Sequence, residues 1–351
     1  MVRSEEMVLS GTVIYGDDFD VVQGYVCLKD GIIKEVGEGR VDCDLEGIIC
    51  PRFVNAHTHL GDSVAKDPPF MDLRNLVGPE GFKHRILAMT ARSLLVEGMR
   101  RSVLDMISTG TFAVLDFREG GPEGTEMLLE AIQGLDVVCS IMGRPDQGST
   151  EIDDRCFGLG MSSTRDMPFD LARECVSCAR SLGKGFAVHA GEASRDDIEG
   201  ALSLCPDFLV HMNKADRSDL EKVARREIPV VVCPRSNLFT GVGLPDVGTM
   251  ADLGITVAIG TDNVMLNSVN ILEEMALISK YLLHDDRQVF KMCTLNGAKI
   301  AGIDKKAGSI LEGKEGRVMV IDGSSNNMWG STDPLASIVR RARPSDVLAV
   351  F

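Results

Sequence analysis

Between residues 48 and 259 the chain alternates short apolar runs with helical segments, eight runs in all. The runs are 48–57, 112–117, 137–142, 157–161, 186–189, 208–211, 230–233 and 257–259, and they read as buried strands. Helical segments at 87–108, 124–133, 171–182, 196–204, 217–226 and 250–253 lie between most of them. Eight such strands with helices between them, spread over about 250 residues, predict an α/β fold of the closed (β/α)8 barrel type, a TIM barrel. An open doubly wound sheet would use the same alternation. It has no glycine-rich phosphate loop here to support it.

Both ends of the chain depart from this pattern. Residues 7–15 and 21–28 read as strands, and the turn Lys29-Asp30-Gly31 leads into a third at 32–36. After a last helix pair, 271–283 and 286–300, turn glycines precede another apolar run at 318–321. The simplest organisation is a composite β-sandwich from residues 1–50 and 303–351 beside a barrel over 51–302. Residues 324–333 read as a polar surface loop, and no role follows from its Trp329, the sole tryptophan.

Composition narrows the partners. A net charge of −15 over 351 residues argues against nucleic acid and against an anionic membrane surface. No stretch has the roughly 18 apolar residues of a membrane span, and the polar start of the chain, with Arg3, Glu5 and Glu6, lacks a signal-peptide core. A cytoplasmic enzyme acting on a small molecule fits, and such enzymes are commonly homo-oligomers. The ten cysteines are scattered, as reduced thiols would be. The close pair Cys175 and Cys178 lies in a predicted helix and reads as packing.

In barrel enzymes the chemistry sits at the C-terminal ends of the strands. Here the first run ends in His57 and His59, the fifth in His189, the sixth in His211, and the eighth leads to Asp262. His57 and His59 are two apart, so on a strand they point the same way, with Cα atoms roughly 6.5–7 Å apart. In a closed barrel the eighth strand adjoins the first and the fifth lies across from it. Three imidazoles and a carboxylate could then converge on one divalent metal, leaving a position for water, as catalytic rather than structural sites do.

The motifs Asn55-Ala56-His57-Thr58-His59, Val188-His189-Ala190-Gly191-Glu192, Val210-His211, Cys233-Pro234-Arg235-Ser236-Asn237 and Ile259-Gly260-Thr261-Asp262 occur in that order. In this the sequence resembles the metal-dependent amidohydrolase superfamily, and within it the branch that holds cytosine, guanine and adenosine-type deaminases. The resemblance spans nearly the whole chain. It implies that His57, His59, His189 and Asp262 ligate one metal ion, zinc in the first place or iron(II), and that Asp262 takes a proton from the attacking water. It implies that His211 orients that water, and that Glu192 protonates the ring nitrogen and shuttles a proton to the departing amine. Chemistry supports the last role, because attack on an amidine carbon needs an acid at the ring nitrogen. Binuclear members carry a lysine at the end of strand 4; the corresponding segment, 156–163, has none, so a single metal is expected.

The reaction so implied is hydrolytic deamination of an aminated heterocycle with release of ammonia. Hydrolysis of a cyclic amide or imidazolone C–N bond, or of a formimino or chloro substituent, would use the same residues. A non-catalytic small-molecule binder is the alternative from a different class. His84 and Arg85 (with Lys83 beside them), Arg118, Arg144, Arg235 and Asn237 follow strands at the predicted mouth and are candidate substrate contacts. Several arginines there suit a carboxylate or phosphate on the substrate. The competing reading is a set of salt bridges bracing the loops, Asp116 among their partners.

Overall fold

The computed structural model describes residues 6–145 and 148–351; the first five residues of the polar N-terminal stretch lie outside that range. Strands β1 (Glu6–Tyr15), β2 (Asp20–Lys29), β3 (Ile32–Glu38) and β4 (Leu45–Pro51) open the chain. Next come β5 (Phe53–His59), β6 (Thr111–Arg118), β7 (Val138–Gly143), β8 (Gly158–Met161), β9 (Gly185–Ala190), β10 (Phe208–His211), β11 (Val230–Val232), β12 (Val257–Ile259) and β13 (Asp262–Asn263). The last two are β14 (Val318–Ile321) and β15 (Val347–Val350).

These strands form two sheets. One has six strands in the order β15-β14-β4-β1-β2-β3, so both chain ends do build it. Its pairing is antiparallel except between β1 and β4, which run parallel. The expected sandwich is thus, in its bonding, one mixed sheet. Leu9, Val13, Val26, Ile33, Ile49, Val318 and Val320 pack together as its core. At Gly11, where φ is +134°, a Cβ would stand 2.2 Å from the carbonyl oxygen of Gly47 on β4, so only glycine permits that approach.

The other sheet has nine strands in the order β12-β11-β10-β9-β8-β7-β6-β5-β13. Pairing is parallel from β6 through to β12, and again between β5 and β13. Its two edge strands, β12 and β13, are separated in sequence only by Gly260 and Thr261. Every residue of β5 and β6 is buried, as expected of strands covered on both faces.

The described residues fall into two compact units. One comprises the chain up to Val54 with Met106–Phe112 and Asn270–Phe351; the other comprises Asn55–Asp105 and Ala113–Val269. In the first, helices Ile271–Tyr281, Asp286–Met292 and Leu295–Ile300 follow one another, with a further helix at Pro334–Arg341. The segment 286–300 is therefore two helices, and 334–341 is a further helix, capped by Asp333 with Pro334 in its first turn. The apolar run 48–57 also divides. Pro51 ends β4 in one sheet and Phe53 begins β5 in the other. Arg52 between them is 1% exposed and donates to the carbonyls of Phe351 and Thr111, each at 3.0 Å.

The predicted helix at 87–108 is two helices, Phe82–Met89 and Arg92–Ser108. Cys175 and Cys178 sit as free thiols on helix Phe169–Ser181. Trp329 is exposed in the 323–333 loop. Among the described residues no helix is long and apolar enough to cross a membrane.

Candidate metal centre

The site grows out of the ends of β5, β9, β10 and β13, all within the second unit. β5 and β13 are stapled together before any ligand is considered. The Asn55 side chain donates to Thr261 Oγ1 at 2.7 Å and accepts from the Thr261 amide at 3.1 Å. Asp62, just beyond β5, accepts from Asn263 Nδ2 at 2.7 Å and from the Met265 amide at 3.0 Å. Gly260 packs directly on β5: a Cβ there would lie 2.6 Å from His57 Cβ and 2.8 Å from the His57 backbone. Asp262 follows with φ at +58°, a strained conformation for a non-glycine residue. The turn aims its carboxylate back over β5.

One donor atom from each of His57, His59, His189 and Asp262 lies within 4.8 Å of all the others, and all four residues are buried. Asp262 Oδ1 is 3.2 Å from His57 Nε2 and 3.6 Å from His59 Nε2. His189 Nε2 is 3.2 Å from His57 Nε2. Acceptors face the second nitrogen of two of the rings. His189 Nδ1 meets the Met161 carbonyl at 2.8 Å, and His59 Nδ1 meets the Phe117 carbonyl and Glu119 Oε1, each at 3.1 Å. Each of those Nδ1 atoms therefore carries the proton, which turns a bare Nε2 lone pair toward the cluster.

Burial keeps the imidazoles neutral. It lowers the His57 and His189 pKa values, and it pushes His59 down to about 3 with Lys83 as the next cause. Burial alone would raise Asp262, but the hydrogen bond with His57 and the surrounding imidazoles hold it well below the usual carboxylate range. Ser236 Oγ donates to the other oxygen, Oδ2, at 2.5 Å. His189 Nε2 and His57 Nε2 stand 3.2 Å apart with the Asp262 carboxylate 3.2 Å from the latter, a gathering of donor atoms that a cation among them would satisfy. Neutral imidazole and ionised carboxylate are the forms that ligate metal. The donor set fits a divalent ion.

A second group adjoins the first. Donor atoms of Glu192, His211 and Asp262 also lie within 4.8 Å of one another, and His211 Nε2 is 3.7 Å from Glu192 Oε2. His211 Nδ1 is held by Asn237 Nδ2 at 3.1 Å, while no hydrogen-bond partner among the described residues meets its Nε2. His211 itself sits at φ +79°. Burial raises the Glu192 pKa, against a lowering by His211.

The remaining candidates separate. Asn237 is fully buried and holds His211. Arg118 is 4% exposed and spends its guanidinium on Glu119 at 2.8 Å and Asp116 at 3.6 Å, the bracing arrangement. Arg235 donates to the Ser268 hydroxyl at 2.9 Å and carbonyl at 2.7 Å. Arg85 is exposed and donates to the Glu80 carbonyl at 3.2 Å. His84 is half-buried, its pKa lowered by burial and then by Lys83. Arg144 is half-buried, and its Nε meets no acceptor among the described residues. Three further contributors carry no motif role of their own: Ser236, inside the Cys233–Asn237 motif, holds Asp262; Asp62 and Glu119, polar residues just beyond β5 and β6, hold the turn at Asn263 and the His59 ring.

Residues 48–351 match the model of the amidohydrolase family. A protein of Methanothermobacter thermautotrophicus, provisionally named an aminohydrolase, is 32% identical over 382 residues, covering 97% of this chain and 96% of its own length. A 5-methylthioadenosine/S-adenosylhomocysteine deaminase of Thermococcus sibiricus is 27% identical, covering 97% of this chain and 91% of its own. Among solved structures, an adenosine deaminase from Xanthomonas campestris with bound zinc superposes with a TM-score of 0.77 at 17% identity. That match covers 98% of this chain and 91% of the other.

Proposed function

The chain belongs to the amidohydrolase family, and from that footing we propose that it is a mononuclear metal-dependent deaminase of an aminated heterocycle. The observation that carries the reading is the convergence of three neutral imidazoles and one carboxylate beside a raised-pKa carboxyl group. In the same proposal the nine-stranded sheet is a closed (β/α)8 barrel over 51–302, because its edges β12 and β13 are joined by two residues. In the same proposal residues 1–50 and 303–351 form a separate β domain.

His57, His59, His189 and Asp262 would hold the ion, zinc or iron(II). When bound, such an ion would supply a water acidic enough to attack near neutral pH. Asp262 accepts a proton from that water, and His211, fixed by Asn237, orients it. Glu192 protonates the ring nitrogen as the amidine carbon is attacked, takes up the proton of the newly added hydroxyl group and passes it to the amino group, which leaves as ammonia; the proton held by Asp262 then restores Glu192. The carbon gains a C–O bond and loses its C–N bond to the exocyclic nitrogen.

The substrate is a small molecule. Aminopurine nucleosides stand first, because a relative of nearly full coverage is named for deaminating two of them. Arg118 is committed to internal pairs, which leaves Arg144, with His84 and Arg85, as the group to meet an anionic substituent.

Metal analysis after expression with zinc and iron, followed by ammonia release over purines, pyrimidines, pterins and their nucleosides, tests the proposal. One equivalent of metal and ammonia from an aminated ring are expected. Protein that binds no metal overturns it. Metal with ring opening but no ammonia replaces deamination with ring-amide hydrolysis.

A further inference from the structure

Lys83 is 3% exposed, and a lysine that deep must be paired. It lies on helix Phe82–Met89, in the segment that follows the ligand strand β5. Its Nζ meets Glu119 Oε1 at 2.5 Å and stands 3.8 Å from Asp62 Oδ2. The same Glu119 oxygen is 3.1 Å from Nδ1 of His59, and Glu119 Oε2 takes Arg118 at 2.8 Å. Asp62 in turn binds Asn263, the neighbour of Asp262. Lys83 is the one member of this buried cluster carried by helix Phe82–Met89, and Glu119 is the one that touches a ligand of the proposed metal.

We propose that Lys83 is a positioning residue that couples the order of helix Phe82–Met89 to metal binding, acting through Glu119 on His59. The inference rests on the metal centre proposed above. A carboxylate on the second nitrogen of a ligating imidazole fixes its tautomer and strengthens it as a donor. Here the same carboxylate oxygen also meets the Lys83 ammonium, so docking of the helix fixes how Glu119 is oriented toward His59. Removing Lys83 leaves Glu119 drawn toward Arg118. Removing Glu119 leaves the ammonium buried with, among the described residues, only Asp62 at 3.8 Å, so the helix loosens. Such coupling is reciprocal: whatever the docked helix adds to metal affinity, bound metal adds to docking of the helix.

The test measures zinc affinity by chelator competition, and hydrogen exchange at residues 82–89 with and without zinc. It compares the wild type with Lys83→Gln, Glu119→Gln and the double variant. Each single substitution should weaken zinc by about 10–100-fold, and the double variant should lose less than the product of the two. Zinc should slow exchange at 82–89 in the wild type and leave it unchanged in Lys83→Gln. Wild-type zinc affinity in Lys83→Gln, or zinc-dependent protection that survives the substitution, overturns the coupling. If the variants fail to fold, the wild type decides alone, because exchange at 82–89 that ignores zinc also overturns it. A wild type that takes up no zinc sinks the metal centre, and the coupling with it. Zinc uptake with unaltered variants sinks the coupling only.

Discussion

At the scale of single residues, Glu192 is the group whose chemistry its surroundings have altered most usefully. Burial raises its pKa, so the proton persists to a higher pH than on an exposed glutamate. Above that raised value the group ionises and cannot protonate a ring nitrogen. Substrate turnover, read as kcat/KM, should therefore fall as pH rises through it. Glu192→Gln should keep full metal content, lose about 10²–10⁴-fold in kcat, and lose that alkaline limb. Metal analysis and a pH–rate profile check both. A glutamine variant at wild-type rate would remove Glu192 from the mechanism. His211 is legible as a strand-end histidine, yet its φ of +79° and its Asn237 partner are not. Backbone strain leaves no mark in composition or periodicity, and Asn237 lies 26 positions away.

At the scale of elements, strand ends were readable because buried parallel strands are continuous apolar runs, and the polar residue that stops a run is conspicuous. The run 208–211 and the run 257–259 coincide with β10 and β12. The same signal misled at 48–57, where apolar character continues through a change of sheet. What divides that run is Arg52, which looks polar in sequence but is buried on backbone carbonyls. The segment 61–90 was opaque for a related reason. Its prolines, glycines and charges suggest a solvated loop, whereas Lys83 and Asp62 are buried against partners distant in sequence. Gly260 belongs at this scale too, because it sets the distance between β5 and the turn into β13. Gly260→Ala would force a methyl group against His57, costing about 1–3 kcal/mol or more. The variant should melt at lower temperature even without metal and bind zinc more weakly. Calorimetry of the metal-free protein together with chelator competition measures each part. Unchanged zinc affinity would show that β13 adjusts without moving Asp262.

At the scale of the whole molecule, metal and stability are linked if the four ligands form their site only in the folded chain. Free metal at ~1,000 times its dissociation constant would add about 4 kcal/mol to the folded state. Stripping the metal should then lower the melting temperature by on the order of 5–10 °C, and adding zinc back should restore it. A melting temperature indifferent to chelator would mean that the donors hold no ion tightly. The net charge of −15 acts at this scale as well. It lies over the whole chain, so it bears on partners and solubility and says nothing of the surroundings of His59, where Lys83 and Arg118 are buried against Glu119.

The pairing of Thr58 with Asp262 has a consequence for how the chain is made. The two residues are 204 positions apart, and between them lies every other strand of the nine-stranded sheet. On the ribosome His57 and His59 emerge early, on a strand whose partner at one side has not yet been synthesised. Asp262 emerges last of the four proposed ligands. A growing chain can gather three imidazoles long before it has the carboxylate that completes the set. If the four residues hold the metal as proposed, full-strength metal capture would signal that the sheet has been finished, and a nascent chain that stalls before residue 262 could not give it.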